Sequence, residues 1–231
     1  MTPFNWSSRS ITATVRAVVV ALLAVVAVVP AHADTLILDY HDGNPWSPLY
    51  GVTMYEVAGN FFPGIVGWDP LIWSVWFYHG GVDYEESGVP FEIHIITRTF
   101  QTDGSVEFNV EGIYDFWTTT CNNCWEEFYL GGYLAHGHFG EDRELGVFLR
   151  PLGGTIGVQT PRIWYDCCPN YEHAAVTLRI VNPKASDRSE YDTPVYNSDY
   201  GLGEFMVGAE VTGDVIVPTR DASFSAIKSL Y

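Results

Sequence analysis

Two groups of residues in this chain have types and spacings specific enough to suggest chemistry. The first is cysteine: Cys121 and Cys124 form a C-x-x-C, and Cys167 and Cys168 are adjacent. In an exported protein four cysteines imply two disulfides, with three connectivities open. A bond between the neighbours Cys167 and Cys168 would close a strained ring. Each is therefore expected to pair with one member of the C-x-x-C, for about 2–4 kcal/mol of stabilisation. The competing chemistry is a four-thiolate zinc site, for which paired cysteines are also a signature. The second group is His136-Gly137-His138, followed by Glu141, Asp142 and Glu144. On a strand the two imidazoles would share one face.

This run resembles part of the first cupin motif, in which H-x-H and a later Glu bind a metal inside a jelly roll. The resemblance implies a metal at His136, His138 and Glu141. It covers this short run alone, and Pro151-Leu152-Gly153 has no His after it to supply a second motif. The competing reading is a polar, Gly-rich loop with solvated histidines. Acidic loops offer a further candidate, calcium, which takes 6–8 oxygens. Asp187, Glu190, Asp192, Asn197 and Asp199 fall in one segment, and Asp39, Asp42 and Asn44 form a smaller group. No other cofactor is required by any motif.

Carboxylate catalysis of glycoside hydrolysis needs two acids set roughly 5–10 Å apart in a cleft. Glu126-Glu127, beside Trp125, and Glu85-Glu86 are the visible pairs. Neighbours on a strand point to opposite faces, so neither pair acts as it stands. The chain has neither the G-x-S-x-G of serine hydrolases nor the phosphate loop of nucleotide enzymes. Aromatic residues make up 15% of the chain, with 8 Trp and 14 Tyr. Most should be core, but Trp68, Trp73, Trp76, Trp117, Trp125 and Trp164, with the late tyrosines, could include a sugar-stacking platform. Those in loops, Trp68, Tyr191, Tyr196 and Tyr200, are expected to be the exposed ones.

Such residues need elements to position them, and those elements read as strands. Residues 91–100 alternate: Phe91, Ile93, Ile95, Thr97 and Thr99 on one face, Glu92, His94 and Arg98 on the other. This is the pattern of a half-buried strand. Asp103-Gly104 supplies a reversal, and Val106, Phe108 and Val110 then alternate with Glu107, Asn109 and Glu111. Further strands are expected over residues 35–40, 51–57, 125–134, 145–149, 155–165, 174–181 and 204–217. Residues 71–78, apolar on both faces, read as a central strand covered on both sides. Residues 59–70 and 182–203 read as loops. Breaks at roughly 8–12 residues give the rhythm of a sandwich rather than of βαβ units.

The ends differ in kind. Arg9 and Arg16, the apolar run 17–29 and the closing Ala31-His32-Ala33 describe a cleaved secretory signal peptide over residues 1–33. The run is shorter than the about 20 residues of a membrane span. Residues 218–231 follow Pro218 and carry Phe224, Ile227 and Leu230 three apart, as a short closing helix or an interaction tail would. The acidic residues number 28 against 11 Lys and Arg, for a net charge of −17, and none precedes Asp34. That excess argues against nucleic acid, whose phosphates are bound by basic clusters.

The reading is an all-β, antiparallel β-sandwich of jelly-roll type over residues 34–217, secreted, cell-surface or periplasmic. Its expected function is a non-catalytic module that binds a carbohydrate or other surface component. The alternatives are a polysaccharide hydrolase with fold-assembled carboxylates and a structural envelope or matrix protein.

Overall fold

The alternating stretch forms the longest hairpin, β6 (Pro90–Phe100) and β7 (Val106–Trp117), paired antiparallel along their length. Its reversal is the expected Asp103-Gly104. Gly104 takes φ +86°, where a side chain would be strained, and the Asp103 carboxylate accepts from the Ser105 N–H and hydroxyl.

The hairpin belongs to a computed structural model that describes residues 34–39, 45–48, 55–63, 65–80, 88–118, 123–152, 163–166, 176–181 and 191–213. The signal-peptide and C-terminal-tail readings, and Glu85, Glu86, Cys121, Cys167, Cys168, Asp187 and Glu190, lie outside the described residues. Within them the remaining strands are β1 (Asp34–Leu38), β2 (Pro45–Pro48), β3 (Glu56–Phe62), β4 (Gly67–Trp68), β5 (Leu71–His79), β8 (Cys124–Leu134), β9 (His138–Phe139), β10 (Arg143–Pro151), β11 (Trp164–Asp166), β12 (Thr177–Val181), β13 (Thr193–Tyr196) and β14 (Val207–Gly213). One short 3₁₀ helix, Asn197–Tyr200, follows β13, and among the described residues there is no α-helix. No helix there is long and apolar enough to cross a membrane.

The strands form an antiparallel six-stranded sheet, β13-β12-β3-β10-β6-β7, and a four-stranded sheet, β1-β14-β5-β8, with two small pairs, β11-β2 and β4-β9. The larger sheets share one core. Phe91, Ile93 and Ile95 of β6, Leu145, Val147 and Leu149 of β10 and Phe62 of β3 pack with Ile72, Val75 and Phe77 of β5, Phe128 of β8 and Val207 and Val211 of β14. The arrangement is all-β and consistent with a β-sandwich. Buried Asn60 on β3 ties the layers: its amide donates to the Phe205 and Val207 carbonyls at 2.8 and 3.1 Å, and its oxygen accepts from Thr177 at 2.7 Å.

Three sequence expectations change. Residues 59–62, read as loop, are strand. Gly59 looks like a breaker, but a Cβ there would land on the Val147 carbonyl oxygen. The glycine marks close backbone approach rather than a turn. Residues 193–200, read as loop, hold β13 and the 3₁₀ helix.

The third change concerns β6, which is buried on both faces. Val57, Phe61, Ile96, Phe108, Phe148, Leu178, Ile180 and Tyr191 form a second core on the outer face of the six-stranded sheet. Glu92, His94, Arg98, Glu144 and Arg150 are buried with them. Charges at this depth must be paired. Arg150 Nη1 donates to Glu92 at 2.9 Å, His94 Nε2 lies 2.7 Å from the same Glu92 oxygen, and Arg98 Nε donates to Glu144 at 2.9 Å, with a second contact from its Nη2. Burial by itself would raise the Glu92 pKa. The hydrogen bonds and charges of His94 and Arg150 outweigh it and hold Glu92 at about 2, below its ordinary 4.5.

Because the folded-state value is the lower one, this ionisation stabilises the fold above about pH 4.5, and the stabilisation is lost as pH falls toward 2. Unfolding free energy measured across that range should decline, and Glu92→Gln should flatten the decline. At neutral pH, Arg150→Met leaves a buried carboxylate without its cation and is expected to cost about 3–5 kcal/mol in denaturant unfolding.

Candidate ligand-binding face

The solvent side of the four-stranded sheet holds a set of part-exposed aromatic rings. Along β5 the residues facing the core are Ile72, Val75 and Phe77. Trp73, Trp76 and Tyr78 face the other way and are only partly buried. The period-2 alternation slips between residues 72 and 75 because β5 carries a bulge. Ile72 and Ser74 pair with the consecutive Val211 and Glu210 on β14, leaving Trp73 unpaired. On the other side the same two residues pair with Tyr133 and Tyr129 of β8, so residues 130–132 bulge as well. Bulges of this kind re-aim a side chain. Gly131 and Gly132 absorb the distortion at φ +76° and +81°, and a Cβ on Gly132 would meet the Trp73 indole at 3.0 Å.

Trp73 is thereby fixed from three sides. Its ring stacks on Tyr129, with centroids 6.4 Å apart and planes 21° from parallel. Its indole N–H donates to Thr212 on β14 at 2.9 Å. Tyr129 is itself 66% exposed, so the pair presents flat apolar surface to solvent. Farther along β5, Trp76 lies over Gly208 of β14, where any side chain would collide with the indole. At the far end Tyr78 and Trp125 meet edge to face at 5.6 Å, the Tyr78 hydroxyl donates to the Asn123 carbonyl at 2.9 Å, and burial raises the phenol's pKa.

Beside Trp76 is an open pocket of about 370 Å³, lined among the described residues by Ile37, Trp76, Glu127 and Glu210. That volume is in the range of small-ligand sites, roughly 300–1,000 Å³. Glu127 is the register partner of Trp76 on β8, and Glu210 on β14 is the partner of Ser74. The carboxylates thus flank the indole from strands two spacings apart, about 10 Å. The buried Ser74 hydroxyl holds Glu210 at 3.4 Å. Glu126, next to Glu127, points inward to buried His79 at 2.7 Å. The adjacent pair therefore does split across the sheet.

The other sequence candidates have separate positions. Trp68 is 66% exposed, with its ring edge-on to His138 at 5.3 Å. His136 precedes the short β4-β9 pair, and His138 lies in it. Gly137, at φ +100°, donates to Asp69 at 2.6 Å, and Arg143 donates to the His136 carbonyl at 3.0 Å. Glu141 is exposed, and Glu144 is occupied by Arg98 on the far side of the six-stranded sheet. Tyr200 is 64% exposed and lies under Arg179 at 5.9 Å. Tyr196 is partly buried against the second core. Tyr191, expected among the exposed rings, is 4% exposed and its hydroxyl lies 3.3 Å from His94 Nδ1. Asp192 and Asp199 are exposed at opposite ends of the β13–3₁₀ segment. Among the described residues no three His, Cys, Asp or Glu converge as a metal site. Cys124 opens β8 as the register partner of His79.

The two glycines of the β8 bulge allow a discriminating test of how Trp73 is held. Gly131→Ala and Gly132→Ala both force a side chain into positive φ, worth about 1–2 kcal/mol. A Cβ at Gly131 meets nothing within 4 Å, whereas one at Gly132 pushes on the indole. Both variants should lose stability in thermal unfolding, and Gly132→Ala alone should alter the near-ultraviolet circular dichroism of the tryptophans.

Set against known proteins, the chain matches no protein-family model, and neither a curated protein nor a solved structure matches it.

Proposed function

We propose that the protein is an exported, non-catalytic binding module of jelly-roll type, and that its ligand is a glycan laid along the outer face of the four-stranded sheet. The observation that carries this reading is the Trp73–Tyr129 stack beside Trp76, held open to solvent by paired bulges. Pyranose rings offer C–H faces that stack on indole and phenol rings, and hydroxyls that pair with polar neighbours. Glu127, Glu210 and Thr212 are such neighbours. The basic, apolar and A-x-A segments of residues 1–33 support export.

Export in turn supports disulfides between the C-x-x-C and Cys167-Cys168. The described neighbours of both cysteine groups meet at the end of β5. Cys124 faces His79 there, and Trp164, three residues before Cys167, packs on Tyr78 at 5.5 Å and donates to the Gly80 carbonyl at 2.8 Å. Thiol titration of the unfolded, unreduced protein is expected to find none free, and peptide mapping to find both bonds running between the two groups. Four titrating thiols, or stoichiometric zinc, would overturn this.

The binding reading is tested by a glycan array and polysaccharide pull-down, with and without calcium. Selective glycan retention is expected. Trp76→Ala and Tyr129→Ala should each weaken it about tenfold, the equivalent of about 1.4 kcal/mol, while Tyr200→Ala leaves it unchanged. Loss of binding on calcium removal would bring back the acidic loops as a site. A second reading has its own observation, the placement of Glu127 and Glu210 on either side of Trp76. New reducing ends released from a bound polymer would make them an acid–base pair.

A further inference from the structure

We infer that the pocket at Trp76 selects a cationic glycan, a polymer of 2-amino-2-deoxy sugars with free amines, over neutral or N-acetylated ones. The inference rests on the glycan-binding reading and goes further by naming the ligand's charge. Among the described residues that line the pocket, one is an indole, one is aliphatic and two are carboxylates, with no Lys or Arg. Neutral sugars are usually oriented by mixed donors and acceptors, whereas two ionised carboxylates offer acceptors alone. A neutral sugar's hydroxyls can donate to these carboxylates but leave their negative charge uncompensated. An ammonium group carries three donors and no acceptor, so it can bond one carboxylate while stacked beside Trp76. The indole face adds a cation–π attraction.

The positions make this a built arrangement. Glu210 is held by buried Ser74, and Glu127 is held in register opposite Trp76. Gly208 leaves the space in which the indole lies flat against β14. Tyr129 pairs with Ser74, two residues from Trp76, which sets the Trp73–Tyr129 stack about 7 Å from Trp76 along β5 at roughly 3.3 Å per residue. A neighbouring ring of the same chain can therefore stack there while the amine occupies the pocket. The net charge of −17 acts in the same direction, drawing a polycation to the surface at low ionic strength.

The test is calorimetric titration of the purified protein with three probes of equal length: glucosamine, N-acetylglucosamine and glucose β-1,4 hexasaccharides. The glucosamine oligomer is expected to bind at least tenfold more tightly than either neutral probe. The preference should shrink as salt is raised from 50 to 500 mM, since screening acts over about 10 Å at 0.1 M. The double variant Glu127→Gln/Glu210→Gln keeps the side-chain shapes and should reduce the preference for the amine oligomer below twofold. Melting temperatures of variant and parent check that the fold is intact. Equal binding of all three probes would overturn the amine inference and leave the glycan reading standing. No binding by any of them, with none on the array, would overturn both. An amine preference that survives the double variant would overturn its assignment to this pocket.

Discussion

The cross-strand charge pairs of β6 and β10 are the constraint on which the other layers depend. Arg150 is the register partner of Glu92, and Glu144 of Arg98, and all four are buried. A slip of one residue would break both pairs at once and turn Phe91, Ile93 and Ile95 away from the inter-sheet core. Ions at this depth add little net stability over a well-packed apolar core, because desolvation offsets their attraction. Their effect is on choice of register: each alternative alignment leaves bare charges in a dry interior. With β6 and β10 locked, β3 follows through the Gly59–Val147 approach, and Asn60 then reaches the backbone next to β14.

The same ties constrain the outer face of the four-stranded sheet. Because β14 is tied to the six-stranded layer by Asn60, and β5 by Phe77 packed on Phe91, the four-stranded sheet cannot bury its far side in the same core. Its bulges sit at Ser74–Glu210 and Tyr129–Tyr133, within this anchored region. A bulge in a free edge strand would relax. Here it is backed by a packed core, and the distortion goes into aiming Trp73 outward. The same backing gives the Trp73–Tyr129 pair a fixed geometry, which lowers the entropy a ligand must remove on binding.

The sequence made the period of β6, β7 and β12 readable but transposed two environments. Residues 71–78, apolar throughout, read as a strand covered on both faces; in fact β5 leaves Trp73, Trp76 and Tyr78 half open. Residues 91–100, with Glu92, His94 and Arg98 in alternation, read as half exposed; in fact β6 is closed on both sides. The cause is the same in both cases. Hydrophobicity reports the cost of exposing a side chain, and that cost is altered by partners distant in sequence: Arg150 and Glu144 for the charges, Tyr129 and Thr212 for the indole. Gly131-Gly132 was the local sign of a bulge, but its meaning depends on Trp73 standing opposite. Tyr191 was misjudged for a related reason. It lies in a Ser- and Asp-rich stretch, yet its ring packs in the second core against His94.

The His-x-His run shows how much of a site spacing leaves undecided. In a metal site the two imidazoles need carboxylates that are free to turn toward them. Glu144, the acid on the following strand, is committed to Arg98 by a buried pair. Freeing it would break that pair beside the Phe61 ring, over which Arg98 lies at 4.4 Å. The glycine between the histidines is likewise committed, since a side chain at Gly137 would strike the Arg143 guanidinium, which holds the His136 carbonyl. Turn chemistry thus accounts for Gly137 and Arg143, and charge pairing for Glu144. Exposed Glu127 and partly buried Glu210, by contrast, stand beside the Trp76 indole on the outer face of the four-stranded sheet.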